Sequence, residues 1–267
     1  MVTSFASNIR LPYQSSILQF LQKYTFGVLA VAASLLMMAT CIACNKKQYD
    51  QFMETENNNG GDTTKTKRIL ALGDSYTIGQ NVVEADRFPN QTIKLLQDKG
   101  IGLKYPAEII AVTGWTTANL LNGIQTANPK PSPPYDAVTL LIGVNNQYQG
   151  RDTAEYRNEF IQCLNKAIFF SGNLTNKVFV LSIPDWGVTP FAAGQDRAAI
   201  AAKIDQFNAI NKQVCQQMNI VYIDITPSTR QAATDPTLVA NDGLHPSGKE
   251  YAKWAALLAN EMIKVLK

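Results

Sequence analysis

Ser75 lies in Gly73-Asp74-Ser75-Tyr76, and the only histidine of the chain, His245, lies in Asp242-Gly243-Leu244-His245-Pro246. A serine hydroxyl is a weak nucleophile near neutral pH until a base takes its proton during attack. Imidazole is the side chain whose ordinary pKa range suits that task. An imidazole acting as base needs its second ring nitrogen held by an acceptor, which fixes the tautomer and steadies the cation. Asp242, three residues earlier, is placed to do this within one loop turn. The oxyanion of a tetrahedral intermediate then needs preorganised donors. Ser75 offers its own N–H at the start of a helical turn, and Gly114 offers another with no side chain in the way. Asn145, in Gly143-Val144-Asn145-Asn146, offers a side-chain amide. Together these residue types point to acyl transfer through a covalent serine intermediate.

Taken singly, each signal has a plainer reading. Gly-Asp-Ser triplets are mostly turns, and glycine or asparagine after a strand is usually a turn former. His245, ahead of Pro246 and Ser247, also suits the start of a helix. The elements around these residues decide between the readings.

From Arg68 onward, short β-branched runs alternate with amphipathic stretches. The pattern predicts strands at Ile69–Leu72, Glu108–Val112, Val138–Ile142, Val178–Ser182 and Ile220–Ile223. Between and after them it predicts helices near Asn90–Lys99, Ala118–Ala127, Ala154–Phe170, Arg197–Met218 and Gly248–Leu266. Such alternation implies right-handed crossovers and a parallel sheet with helices on both faces, a three-layer α/β domain. The strand runs are continuously apolar, as expected of strands buried on both sides. Parallel strands open their C-terminal ends on one edge, where such sheets bind ligands. Ser75, Gly114, Asn145 and His245 all follow strand ends, so topology alone brings them to that edge.

With this placement, Gly73-Asp74-Ser75-Tyr76, Gly114, Gly143-Val144-Asn145 and Asp242-Gly243-Leu244-His245 resemble, in order, the four blocks of the GDSL or SGNH hydrolases. The resemblance covers Arg68 to about Lys267. It implies a flavodoxin-like five-stranded sheet of order 2-1-3-4-5 and hydrolysis of esters or thioesters through an acyl-enzyme, without metal or cofactor. It makes Ser75 the nucleophile, His245 the base, Asp242 its orienting partner, and Ser75, Gly114 and Asn145 the oxyanion donors. Two positions depart from the family pattern. Tyr76 replaces a Leu, which should alter the pocket more than the chemistry, and Asn146 replaces an Asp, which puts local support of its loop in question.

Tyr76, Trp115, Gln147, Asp185 and Trp186 fall in loops on the same edge and are candidates to line a substrate pocket. Packing or loop capping is the competing role for each. Aromatic loop residues suit an acyl chain or a sugar ring, so carbohydrate O-acetyl groups and acyl-lipid esters are both expected substrates. An acyltransferase would use the same residues, and a non-catalytic binding module would keep the fold. The intact Ser75, Asp242 and His245 argue against the latter. The first turn lacks a glycine-rich phosphate fingerprint, which sets a nucleotide-binding domain aside.

The N-terminus reads as an address. Phe26 to Ala43 carries no charge, with Lys23 before it and Cys44-Asn45-Lys46-Lys47 after it. A basic flank, an apolar core and small residues before a boundary are the features of a secretory signal. The cysteine at the boundary resembles a bacterial lipoprotein signal, in which Cys44 would be lipidated. An uncleaved anchor is the alternative, since eighteen such residues nearly span a bilayer. Either tethers the same domain outside the cytoplasm. The expected organisation is a signal segment over 1–43, a polar linker over 44–67 and the hydrolase domain over 68–267.

Composition narrows the partners. Arg10 and Lys23 are the only charges in 1–43, and setting them aside from 24 basic residues leaves 22 against 21 acidic ones. A net of +1 gives no reason to expect nucleic acid. One histidine and four cysteines are too few for a zinc-ribbon or histidine-rich metal site. Cys163 and Cys215 fall within predicted helices, where buried free thiols are expected.

Overall fold

The computed structural model describes residues 66–128 and 130–267. The signal, linker and Cys44 lipidation readings therefore lie outside the described residues, apart from the last few residues of the linker. Five strands form one parallel sheet: β1 (Ile69–Gly73), β2 (Glu108–Ala111), β3 (Ala137–Leu141), β4 (Val178–Leu181) and β5 (Val221–Ile223), in the order β2-β1-β3-β4-β5. The helices, in chain order, are α1 (Ser75–Ile78), α2 (Phe88–Gln97), α3 (Thr117–Thr126), α4 (Val144–Tyr148), α5 (Thr153–Phe170), α6 (Arg197–Gln217), α7 (Thr226–Thr229) and α8 (Gly248–Leu266). This is the three-layer α/β architecture expected from the strand and helix pattern, with the strand order that the family resemblance implied.

Local chemistry explains the helix starts. Thr116 and Asn119 form a reciprocal capping box at α3. Asp152 accepts from the N–H groups of Ala154 and Glu155 at α5, and Asp196 accepts from that of Ala199 at α6. α2 begins two residues before the predicted start, at Phe88. Pro89 lies inside its first turn, where the missing N–H has no partner to lose.

β1, β3 and β4 are fully buried. The edge strands correct the expectation of strands covered on both sides: β2 is half-buried along its length, and two of the three residues of β5 are half-buried. An edge strand has one neighbour and less helix above it. α2 packs against α8, while α3, α5 and α6 pack in series as a second helical group. The core between includes Phe88, Tyr156, Phe160, Phe179, Tyr251 and Trp254. Cys163 and Cys215 are buried free thiols, as expected. Burial pushes each thiol up to about 12. Among the described residues no helix is long and apolar enough to cross a membrane.

Register aligns the strand ends. Gly73, the last residue of β1, pairs with both Ala111 of β2 and Leu141 of β3. The residues that follow each of these therefore emerge at one level.

Candidate active site

The turn that carries Ser75 is built by close approach. Gly73 leaves no room for a side chain, since a Cβ there would meet Thr77 Oγ1 at 2.0 Å and the Leu141 carbonyl at 2.4 Å. The chain can thus pass straight from β1 into α1. Asp74 caps α1 by accepting the Tyr76 N–H at 3.0 Å, which leaves Ser75 at the first helical position with an outward N–H. Ser75 and Gly114 N–H groups have no hydrogen-bond partner among the described residues. Gly114 holds φ at +83°, and the space where its Cβ would lie is open. Its backbone can present the N–H in a conformation that side chains disfavour.

His245 and Asp242 form a pair, with Nδ1 to Oδ2 at 2.6 Å. The other oxygen, Oδ1, accepts the N–H groups of Leu244 and His245, both at 3.0 Å. Burial pushes the Asp242 carboxyl up, but these hydrogen bonds and the imidazole outweigh it and hold the group below the usual carboxylate range. Asp242 is therefore an ionised acceptor, as an orienting partner must be. The Tyr76 ring lies against the His245 ring with centroids 5.2 Å apart. Burial, and then the carboxyls of Asp74, Asp242 and Asp185, push the Tyr76 hydroxyl up, so its phenol stays neutral.

Ser75, Tyr76, Gly114, Asn145 and His245 line one pocket of about 160 Å³. The five residues predicted to carry the chemistry are thus placed together, Asp242 through its bond to His245. The Asn145 amide donates to the Trp115 carbonyl at 3.0 Å and faces Asp74 Oδ2 at 3.5 Å. It holds the Gly114–Trp115 loop as well as facing the pocket. Asn146, whose departure from the family pattern put its loop in question, supports it directly. Its Oδ1 accepts the Thr117 N–H at 3.0 Å and its Nδ2 donates to Thr117 Oγ1 at 2.7 Å.

Of the five candidate pocket residues, Tyr76 and Trp186 line the pocket. Three do not. The Trp115 ring packs over Gly123, where a Cβ would come within 2.1 Å of it, and faces a separate groove on β2. Gln147 is buried and accepts the Trp186 Nε1–H at 2.8 Å, so it orients a pocket residue from behind. Asp185 accepts the Gly187 N–H at 2.9 Å and pairs with Arg230 at 2.8 Å, tying down the loop that carries Trp186. It borders a small separate cavity that Tyr76, Trp186 and His245 also line. In each case the side chain found its partner within the protein.

Sequence reasoning missed Tyr148 and Phe191, which line the pocket rim with Trp186. Their ring centroids lie 5.3 Å and 5.9 Å from that of Trp186, and both are exposed. Tyr148 stands three residues after Asn145 on α4, a spacing that places both on one helix face. No local signal marks Phe191. Among the described residues no group of three or more His, Cys, Asp or Glu side chains is arranged to hold a metal ion.

Comparisons with known proteins identify the family and match the fold. The model of the GDSL-like lipase/acylhydrolase family matches residues 71–253. A solved member of the lipolytic G-D-S-L family from Veillonella parvula is 19% identical, with a TM-score of 0.53 over 74% of this chain and 97% of its own. A lipase/acylhydrolase from Enterococcus faecalis is 20% identical, with a TM-score of 0.55 over 73% and 95%. An acetylxylan esterase from Geobacillus stearothermophilus is 18% identical, with a TM-score of 0.55 over 73% and 94%. No curated protein sequence matches the chain.

Proposed function

This chain belongs to the GDSL-like lipase/acylhydrolase family and is an esterase of the carboxylic-ester hydrolase class; we propose that it cleaves short-acyl esters through a Ser75 acyl-enzyme, outside the cytoplasm. The observation that carries the mechanism is the Asp242–His245 pair beside Ser75, Gly114 and Asn145 around one pocket. Ser75 Oγ attacks the ester carbonyl while His245 Nε2 takes its proton. The N–H groups of Ser75 and Gly114 receive the developing oxyanion, and the Asn145 amide joins them by exchanging its long 3.5 Å contact with Asp74 for the oxyanion. His245 returns the proton to the leaving alcohol, and water, activated by the same imidazole, releases the acid.

Pocket size and rim chemistry support the substrate class. About 160 Å³ is well below the roughly 300–1,000 Å³ of pockets that enclose drug-sized ligands, which favours a short acyl group over a long enclosed chain. The exposed rings of Tyr148 and Phe191 lie where the alcohol part would leave the pocket, and flat aromatic faces suit a sugar ring. The acetylxylan esterase among the structural neighbours is in keeping with a carbohydrate O-acyl ester. Assay of p-nitrophenyl esters from acetyl to dodecanoyl beside the Ser75→Ala variant tests this reading. Ser75-dependent turnover that peaks at acetyl to butyryl is expected. A maximum at dodecanoyl would overturn the short-acyl assignment, and absence of Ser75-dependent turnover would overturn the nucleophile.

The location follows from the charge-free segment between Lys23 and Cys44. We place the chain at a bacterial membrane as a lipoprotein anchored through Cys44. Metabolic labelling with an alkyne fatty acid is expected to mark the wild type and not Cys44→Ala; equal labelling of the two would refute the anchor.

A further inference from the structure

The turn that carries the nucleophile continues into two residues whose side chains reach different loops of the site. α1 ends at Gly79, whose N–H bonds to the Ser75 carbonyl, and the Gln80 N–H bonds to the same carbonyl at 3.0 Å. Gln80 Oε1 accepts the hydroxyl of Thr113 at 2.5 Å, one residue before the oxyanion donor Gly114. Asn81 Nδ2 donates to Asp242 Oδ2, the oxygen that also accepts His245 Nδ1. Since an ionised carboxylate only accepts, the Asn81 nitrogen must face it. Asn81 has φ of +62°, a left-handed backbone that asparagine tolerates better than other side-chain-bearing residues.

The contacts of Asp242 show why this matters. Oδ1 is held by N–H groups of its own loop and Oδ2 by His245, three residues away. Asn81 supplies the contact from the nucleophile's side of the site, across 161 residues of sequence. Without it the Asp242–His245 loop would keep its internal bonds but lose this tie to Ser75.

We propose that Gln80-Asn81 is a brace that sets the Asp242–His245 pair and the Thr113–Gly114 loop in register with Ser75, both residues acting as positioning residues for the triad assigned above. Asn81 fixes the carboxylate that orients the base, and Gln80 fixes the loop that presents an oxyanion donor. Neither touches the reacting atoms.

The test uses the full-length chain and its single histidine, which makes the His245 ring proton at Nδ1 the one such NMR signal to follow. Asn81→Gly keeps the left-handed backbone and removes only the amide; Gln80→Ala removes the other arm. Asn81→Gly should lower kcat about 5- to 20-fold with KM within about twofold, and Gln80→Ala should lower kcat about 3- to 10-fold, the scale of a small misalignment. The His245 Nδ1 proton should shift in Asn81→Gly and stay in place in Gln80→Ala. Wild-type kcat in Asn81→Gly, an unmoved resonance there, or equal shifts in both variants would overturn the brace. The resonance is read without substrate. Inactivity of the wild type on every ester would therefore sink the hydrolase mechanism, while the brace would still stand or fall on the NMR result.

Discussion

Replacing Asp74 by Asn removes a buried ionisable group next to Ser75 while keeping the shape of the side chain. Asp74 is fully buried. Burial pushes its carboxyl from 3.8 up to about 7, against the lowering effect of hydrogen bonds from the Tyr76 N–H and the Asn145 amide. An acid whose folded pKa lies above its unfolded one binds an extra proton in the folded state between the two values. Stability therefore falls as pH rises from about 4 to about 7, and the full cost is present above pH 7. At about 1.4 kcal/mol per pH unit, the gap corresponds to about 4 kcal/mol at pH 8. Asparagine pays no such cost and is an equally good helix N-cap. Urea unfolding of both proteins at pH 4, 6 and 8, followed by tryptophan fluorescence, isolates the effect as a difference between two profiles. The wild type should lose about 4 kcal/mol more than Asp74→Asn across this range, with most of the divergence between pH 4 and 7. Profiles that stay parallel within about 1 kcal/mol would show that Asp74 ionises freely in the folded protein and refute the argument from burial.

Asp242→Asn should lower kcat about 10³- to 10⁴-fold with little change in melting temperature, because the imidazole loses the acceptor that sets its tautomer; near-full activity would remove Asp242 from the mechanism. Tyr148→Ala and Phe191→Ala should each raise KM about 2- to 10-fold for aryl or glycosyl esters, the worth of one aromatic contact. For ethyl esters KM should hardly change, and equal effects on both ester types would deny the rim a role in recognising the alcohol. Cys163 and Cys215 should resist iodoacetamide at pH 8 in the folded protein and react after denaturation, as peptide mapping would show. Labelling of either before unfolding would contradict their burial and raised thiol pKa.

The strand and helix sequence was legible because its signals are local. Apolar runs mark β1, β3 and β4, and threonine and aspartate caps mark where α3, α5 and α6 begin. The grouping of the candidate site residues was legible for a related reason. Ser75, Gly114 and Asn145 closely follow β1, β2 and β3, whose ends share one edge whatever the packing above them, while His245 lies in the long connection from β5 to α8. The pair Asp242 and His245 lies within one turn of chain, so its 2.6 Å contact needed little from the rest of the fold.

What the tertiary structure alone decided was the direction of the loop side chains. Trp115 and Trp186 read alike in sequence, yet one ring found the bare surface of Gly123 and the other, held from behind by Gln147, lines the pocket. Asp185 turned to Arg230, 45 residues away, and Asn81 to Asp242, 161 residues away. Loop side chains have no period to fix their facing. Their orientation is set by the distant donor, acceptor or gap that satisfies them once the layers have packed.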